Sequence, residues 1–248
     1  MNKFLIDLKR YRKEIEIRKK NGDYALGGKT GFCFIEGNYI VKIYNYPVKE
    51  NNYLDFSSYT SNRISFPIRY IFSNGYVIGE IMPYYKVDTI DNTLNLRTNI
   101  NFLYESYTKI IEEIKKFPNI AMYDLWQKNV LFSSRKGFYL IDVTDWKCTK
   151  NNHVDSNISY LDRTIGFMLN ELVFNDGNLL RDIDDSYRIL HGNNIGREIL
   201  SIYRSYIKRE YRVLEFLDAY EKFIKINYNY DIKTLSDMKK YTKIMKYS

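Results

Sequence analysis

Three polar side chains, Asp124, Asn129 and Asp142, stand at fixed spacing in a strongly apolar part of the chain. They lie within Met122-Tyr-Asp-Leu-Trp-Gln-Lys-Asn-Val-Leu-Phe132 and Gly137-Phe-Tyr-Leu-Ile-Asp-Val143. Strand formers at Val130–Phe132 and Phe138–Ile141 flank the turn signal Ser133-Ser-Arg-Lys-Gly137, and this pattern predicts a hairpin. A hairpin brings its end back beside its beginning. Asn129 at the entry and Asp142 at the exit are therefore expected as neighbours, with Asp124 on the loop just before. Two carboxylates and an amide oxygen make an all-oxygen set, suited to Mg²⁺ and to a hydroxyl proton. Each residue alone has an ordinary use, as a turn cap, a loop amide or a strand end. The ordered set carries the signal.

That set resembles the catalytic loop and metal-binding motif of the protein kinase-like superfamily, whose pattern is H-R-D-L-x-x-x-N followed by D-F-G after a strand pair. Here the two motifs read Met122-Tyr-Asp-Leu-Trp-Gln-Lys-Asn129 and Asp142-Val-Thr144. The resemblance implies Asp124 as catalytic base and Asn129 and Asp142 as magnesium ligands. The chain departs from the pattern in three places. No His precedes Asp124, Trp126 stands where protein kinases often have Lys, and the Phe and Gly of D-F-G are absent. Aminoglycoside- and choline-kinase-like phosphotransferases vary at these positions too, and the chain resembles a minimal, divergent member of bacterial or viral type. The implied fold is α+β and bilobal, a single kinase-like domain over residues 1–248. Residues 1–84 would form a small antiparallel β-sheet lobe with a leading helix, and residues 85–248 a mainly helical lobe.

The upstream half supplies further motifs. Gly27, Gly28 and Gly31 form a turn whose backbone can approach a bulky anion, because glycine has no Cβ. Phe32–Ile35 reads as a strand, Glu36-Gly37-Asn38 as a turn, and Tyr39–Tyr44 as the next strand, with Ile40, Lys42 and Tyr44 on one face. A lysine inside such a strand is costly to bury unless something negative meets it. By resemblance, Lys42 in Tyr39-Ile-Val-Lys42 matches the lysine that pairs the ATP phosphates. Gly28 and Gly31 match the glycine loop, in which Leu26 replaces the first glycine, and Cys33 matches the residue covering adenine. The alternative for Lys42 is an edge-strand lysine that guards against aggregation. The acid that pairs with this lysine in the family is expected on a following helix. Glu50 and Asp55 are the acids at hand, Glu50 being the weak choice, and any helix there is short.

Residues 66–85 read as two strands joined at Ser73-Asn-Gly75, a strong hairpin signal, and the resemblance places Glu80, Met82 and Tyr84 at or near the hinge that binds adenine. Apolar residues at Phe102, Leu103, Tyr107, Ile110, Ile111 and Ile114 predict a helix over 100–117, stopped by Pro118. Ser159–Val173 reads as another helix. Asp162 within it is either the family's brace for the catalytic-loop backbone or a charge favoured at a helix N-terminus. Further helices are expected from about Asn194 to Asn227. Between Asp142 and Asp162 there is no A-P-E motif and little room for a peptide-binding activation segment, which weighs against a conventional, phosphorylation-switched protein kinase.

Composition sets outer limits. With 248 residues, 45% of them hydrophobic, the chain is large enough for a sizeable core. No apolar run has the length of a membrane span, and the charged start carries no secretory signal. Cys33 and Cys148 give neither a disulfide framework nor zinc spacing, which fits a reduced, cytoplasmic protein. His153 and His191, far apart, give no zinc or Ser-His-Asp site. The net charge of +8 and the 25 tyrosines accompany the basic runs Lys9-Arg-Tyr-Arg-Lys13, Arg18-Lys-Lys20 and Lys239-Lys-Tyr-Thr-Lys243. An A/T-biased coding sequence explains the Lys, Asn, Ile and Tyr usage better than nucleic-acid binding does. The first twenty residues read as an amphipathic helix.

The resemblance thus implies an ATP- and Mg²⁺-dependent phosphotransferase acting on a hydroxyl of a protein or small molecule. The other expectation is a pseudokinase-like nucleotide-binding or protein-interaction module, motivated by the degenerate glycine loop, the missing His and the unclear acid partner.

Overall fold

A computed structural model describes residues 4–5, 13, 16–18, 20–21, 26–27, 30–85, 94–169, 172–173 and 212–247. The chain is mixed α+β and divides into two compact units. One comprises Met1–Lys86 with Leu140–Cys148, the other Val87–Tyr139 with Thr149–Ser248.

The first unit is built on a six-stranded sheet of order β1-β5-β6-β4-β3-β2. Its strands are β1 (Phe4–Leu5), β2 (Leu26–Gly27), β3 (Gly31–Glu36), β4 (Tyr39–Lys49), β5 (Arg69–Ser73) and β6 (Tyr76–Pro83). The turns follow from the sequence. Gly37 takes a positive φ between β3 and β4, and Asn74 (φ 49°) with Gly75 (φ 77°) closes the β5–β6 hairpin. Two consecutive positive φ values match the twist of paired strands, which is why Asn-Gly is favoured there. One face is packed by Tyr70, Phe72 and Val77, with Tyr44 and Tyr53 against them. Leu140–Cys148 is tied to this unit by a bridge between Leu140 and Ile64. The buried Trp146 also holds it, meeting Phe66 edge-on at 6.0 Å.

Two expectations for this region change, and a third, that any helix following β4 is short, holds. The chain does not begin as one helix: Phe4–Leu5 is a strand pairing parallel with β5, Phe4 opposite Ile71 and Leu5 opposite Phe72. The exposed ladder of an edge strand offers backbone partners that a short apolar segment satisfies by pairing. Helical geometry appears at residues 13, 16–18 and 20, where Ile17 is exposed. The sheet is in consequence not wholly antiparallel. Finally, the sole helical element in residues 50–85 is a 3-10 turn, Glu50–Asn52.

The second unit is largely helical. Its helices are α1 (Ile100–Lys115), α2 (Val154–Leu169), α3 (Val213–Tyr228) and α4 (Leu235–Tyr247). Asn99 caps α1 by accepting from the Phe102 N–H at 3.2 Å, and Leu103, Tyr107, Ile110 and Ile114 are its buried stripe. The predicted hairpin is present as β8 (Val130–Ser133) and β9 (Gly137–Leu140), after the short β7 (Ile120–Ala121). Phe132 and Phe138 pack edge-on across it at 4.8 Å. Gly137 (φ +85°) is required at the turn, where a side chain would meet Ser106. Among the described residues no helix is long and apolar enough to cross a membrane. His191, Gly28 and the helices expected between residue 194 and the start of α3 lie outside the described residues.

Candidate functional site

β4 is flanked by β3 and β6, so Lys42 sits in the sheet interior and is only 3% exposed. This removes the edge-guarding explanation. A buried ammonium needs negative partners, and two are recorded. Lys42 Nζ donates to Asp142 Oδ1 at 2.5 Å and lies 3.9 Å from Glu80 Oε1. It also donates to Thr144 Oγ1 at 2.8 Å. The Thr144 oxygen is 3.1 Å from Glu80 Oε1 and 2.8 Å from Asp142 Oδ1. One hydroxyl carries one proton, so Thr144 donates to one of the two carboxylates at a time.

The electrostatics follow from this packing. Burial acts to lower the Lys42 pKa, but the Glu80 and Asp142 carboxylates outweigh it and hold the value raised. Burial also pushes on Asp142, yet Lys42 and Thr144 hold its carboxyl below the ordinary value. Glu80, 1% exposed, is raised by burial, with Lys42 pulling back only in part. Cys33 is the cross-strand partner of Lys42 on β3; burial pushes its thiol up to about 11 despite the lysine.

The pairing acid is therefore Glu80, not Glu50. Glu50 follows the far end of β4, eight residues along, on the order of 25 Å in extended chain, and its N–H donates to Gly75 O at 2.9 Å. Asp55 is engaged by the Ser57 N–H and hydroxyl. Met82 is buried on β6 opposite Ile40. Tyr84 donates its N–H to Asn38 O at 2.9 Å, and Pro83 O accepts from the Ser65 hydroxyl at 3.4 Å. Two backbone groups expected at an adenine-binding hinge thus have partners within the fold. Gly27 pairs with Phe32 in β2. Gly31 is glycine for a packing reason, because a Cβ there would run into the Ile43 carbonyl of β4.

In the helical unit, Asp124 and Asn129 are joined. The Asn129 amide donates to Asp124 O at 2.8 Å and to Asp124 Oδ2 at 3.0 Å. The amide nitrogen is used there, which turns the Asn129 carbonyl oxygen the other way. The loop they share is held by residues of α2 that sequence reasoning missed. Asn157 Oδ1 accepts from Met122 N at 2.9 Å and its Nδ2 donates to Ile120 O at 2.7 Å. Thr164, seven residues on and so on the same helix face, donates to Leu125 O. Asp162 lies within α2 rather than at its N-terminus. It accepts from the Tyr107 hydroxyl and from Val213 N, bracing α1 and the start of α3.

Asp124 and Asp142 share one further property: both have φ 57°. The left-handed region costs an ordinary L-residue about 1–2 kcal/mol, and such strain persists only where the surroundings impose it.

Hard-oxygen donors are present in the Asp142 carboxylate and the Asn129 amide oxygen. A magnesium ion keeps several waters and takes one or two protein oxygens plus phosphates, so each of these oxygens, taken by itself, is of a kind the ion accepts. Among the described residues no group of three His, Cys, Asp or Glu side chains is arranged to hold a metal by itself.

A scan against models of known protein families gives no match to this chain. A search of curated proteins gives none either.

Proposed function

We propose that the chain is an ATP- and Mg²⁺-dependent phosphotransferase of the bilobal protein kinase-like type, transferring the γ-phosphoryl group to a hydroxyl acceptor. One observation carries this reading. A lysine buried in a sheet is bonded at 2.5 Å to Asp142, a hundred positions later, and these are the two residues that the motif resemblance assigns to phosphate and metal. The shared left-handed conformation of Asp124 and Asp142 adds to it.

In this reading Lys42 orients the phosphates, with Gly27, Gly28 and Gly31 covering them and Cys33 beside adenine. Of the three ammonium protons, two go to Asp142 and Thr144, leaving one for a phosphate oxygen. Asp142 and Asn129 are the residues that the motif resemblance assigns to hold the metal, and each would offer it an oxygen. Bound there, Mg²⁺ would neutralise charge on the phosphates. Asp124 accepts or orients the acceptor's hydroxyl proton, its carboxylate held by Asn129. Phosphoryl transfer depends mainly on positioning and charge neutralisation, so this small set of groups suffices. The reduced cysteines Cys33 and Cys148 suit a cytoplasmic setting.

A second reading, a nucleotide-binding or interaction module with little turnover, is favoured by the Tyr84 N–H and Pro83 carbonyl being engaged within the fold. The deciding measurement is label transfer from γ-labelled ATP to the chain itself, to generic proteins and to a panel of hydroxylated metabolites, with and without Mg²⁺. Transfer that needs Mg²⁺ is expected. ATP binding without transfer to any acceptor sinks the enzyme reading in favour of the module.

A further inference from the structure

The identity and position of the acid beside Lys42 lead one step further, on the basis of the phosphotransferase reading. We propose that Glu80 is the positioning residue that fixes Lys42 for the phosphates, and that it acts from the adjacent strand, so that the lysine–acid pair is assembled with the sheet and is not switched by the movement of a helix.

Three observations support this. First, residues 50–85 are described throughout, and their acids are Glu50, Asp55 and Glu80. The first two are placed elsewhere, and no α-helix lies in the stretch to carry a movable partner. Second, Lys42 and Glu80 are direct cross-strand partners in the antiparallel β4–β6 ladder. Directly opposed side chains leave the same face of a sheet with Cβ atoms about 5 Å apart, so the backbone register itself sets the pair. Cys33, Lys42, Glu80 and Tyr70 form one row across four strands. Third, Glu80 is buried to 1% exposure. A carboxylate so placed is retained only with partners, and it has Lys42, the Thr144 hydroxyl at 3.1 Å and the Tyr44 phenol.

Thr144 gives the arrangement a second use. Its hydroxyl accepts from Lys42 and has a choice of two carboxylates. Were Asp142 to hold a metal ion instead of Lys42, the Thr144 hydroxyl would re-aim its hydrogen bond to Glu80, and the lysine would stay held through Thr144 and Glu80. The ammonium then keeps its position as one carboxylate leaves. A chain built this way is on whenever nucleotide and metal are present, and any control acts elsewhere.

The test is a double-mutant cycle in the full chain. Glu80→Gln keeps shape and hydrogen bonding to Thr144 and Tyr44 but removes the charge. It is expected to lower kcat roughly 10–100-fold, less than the roughly 10²–10³-fold cost of losing a donor that acts on the reacting charge directly, while KM for ATP changes less than about threefold. In a Lys42→Met background the same change is expected to add no further loss. Thr144→Val is expected to lower kcat by a smaller factor and Thr144→Ser to retain it, which keeps the proposal testable if Glu80→Gln does not fold. A Glu80→Gln kcat within twofold of wild type, or losses that multiply in the double mutant, overturns the proposal. If wild type binds ATP without transferring phosphate, the phosphotransferase reading fails, and the same cycle is read in ATP affinity. There, non-additive losses support the Lys42–Glu80 assignment and additive ones overturn it. If wild type neither binds nor transfers, both fall.

Discussion

The two units each hold an aspartate in the left-handed conformation, and they hold it by opposite means. In the sheet unit, Asp142 is fixed by charge. It meets the buried Lys42, with Glu80 and Thr144 completing the cluster. In the helical unit, Asp124 is fixed by neutral hydrogen bonds: its own loop is sewn to α2 through Asn157 and Thr164, and Asn129 holds its carboxylate. A charge cluster is costly to build and strongly directional in its electrostatics, as suits a site that takes a cation together with a polyanion. A neutral scaffold holds the aspartate through amide and hydroxyl groups alone, as suits a group that handles one proton. The difference matches the two roles proposed.

The largest way to break that contrast is to remove the charged aspartate. Asp142→Ala is expected to abolish Mg²⁺-dependent transfer. It also removes the nearest carboxylate from Lys42; Asp142 is 31% exposed and Glu80 and Thr144 stay beside the ammonium, so the stability loss is that of one charged hydrogen bond, about 1.5–3 kcal/mol. Label transfer and a urea unfolding curve read the two effects. A variant that keeps wild-type transfer shows the cluster to be structural alone.

Asp124→Asn, on the neutral side, is expected to lower transfer roughly 10²–10⁴-fold, the usual worth of a general acid–base group. ATP binding should be unchanged by calorimetry, because Asp124 is not among the phosphate-binding residues. Turnover equal to wild type removes Asp124 from the mechanism.

Next in size, Asn157→Ala strips two buried bonds from the loop, leaving Met122 N and Ile120 O without their recorded partner. At about 1–3 kcal/mol for each unsatisfied group, a loss of about 2–6 kcal/mol is expected in chemical denaturation. A loss under 0.5 kcal/mol, outside the roughly 1 kcal/mol usual for even one bond, shows that Asn157 does not hold the loop.

The smallest effect lies away from both sites. Asp237 accepts from Lys233 N and Thr234 N at 3.0 Å, and Thr234 Oγ1 accepts from Asp237 N at 3.3 Å, a reciprocal cap on α4. Its burial raises the carboxyl pKa, but these bonds outweigh that and hold it below the ordinary value. A depressed folded-state pKa stabilises the fold above the unfolded pKa of about 3.9. That contribution is lost as pH falls through the lower folded value. Asp237→Asn is therefore expected to cost about 0.5–1 kcal/mol at pH 7, allowing for solvent screening. The difference from wild type should shrink below pH ~3.9. A pH-independent difference in Tm places the effect elsewhere.

Much of this was legible in local sequence. Asn74-Gly75 announced its hairpin, Gly37 its turn, the apolar stripe of α1 its length, and Gly137 the end of the β8–β9 turn. These depend on φ preferences and periodicity, which neighbouring residues set. The acid partner of Lys42 was misplaced because pairing across a sheet depends on register, and the 37 residues between Lys42 and Glu80 contain a bulge-prone strand and a loop whose lengths do not reveal it. The supports at Asn157 and Thr164 were invisible for a related reason: a polar residue on a mostly apolar helix face becomes a brace only when a particular loop is packed against it. Phe4–Leu5 was misread because two residues of apolar pattern suit a helix as well as a strand until an open sheet edge decides.

The sequence by itself determined an α+β chain with its hairpins, its helices and a set of oxygen donors in a recognisable order. Only the tertiary structure decided that Lys42 is interior, that Glu80 rather than Glu50 answers its charge, and that Asp142 reaches it from a hundred residues away. The physical reason is range. Backbone preferences act within a few residues, whereas the cost of burying a charge is settled by whichever side chains the finished packing brings within about 4 Å.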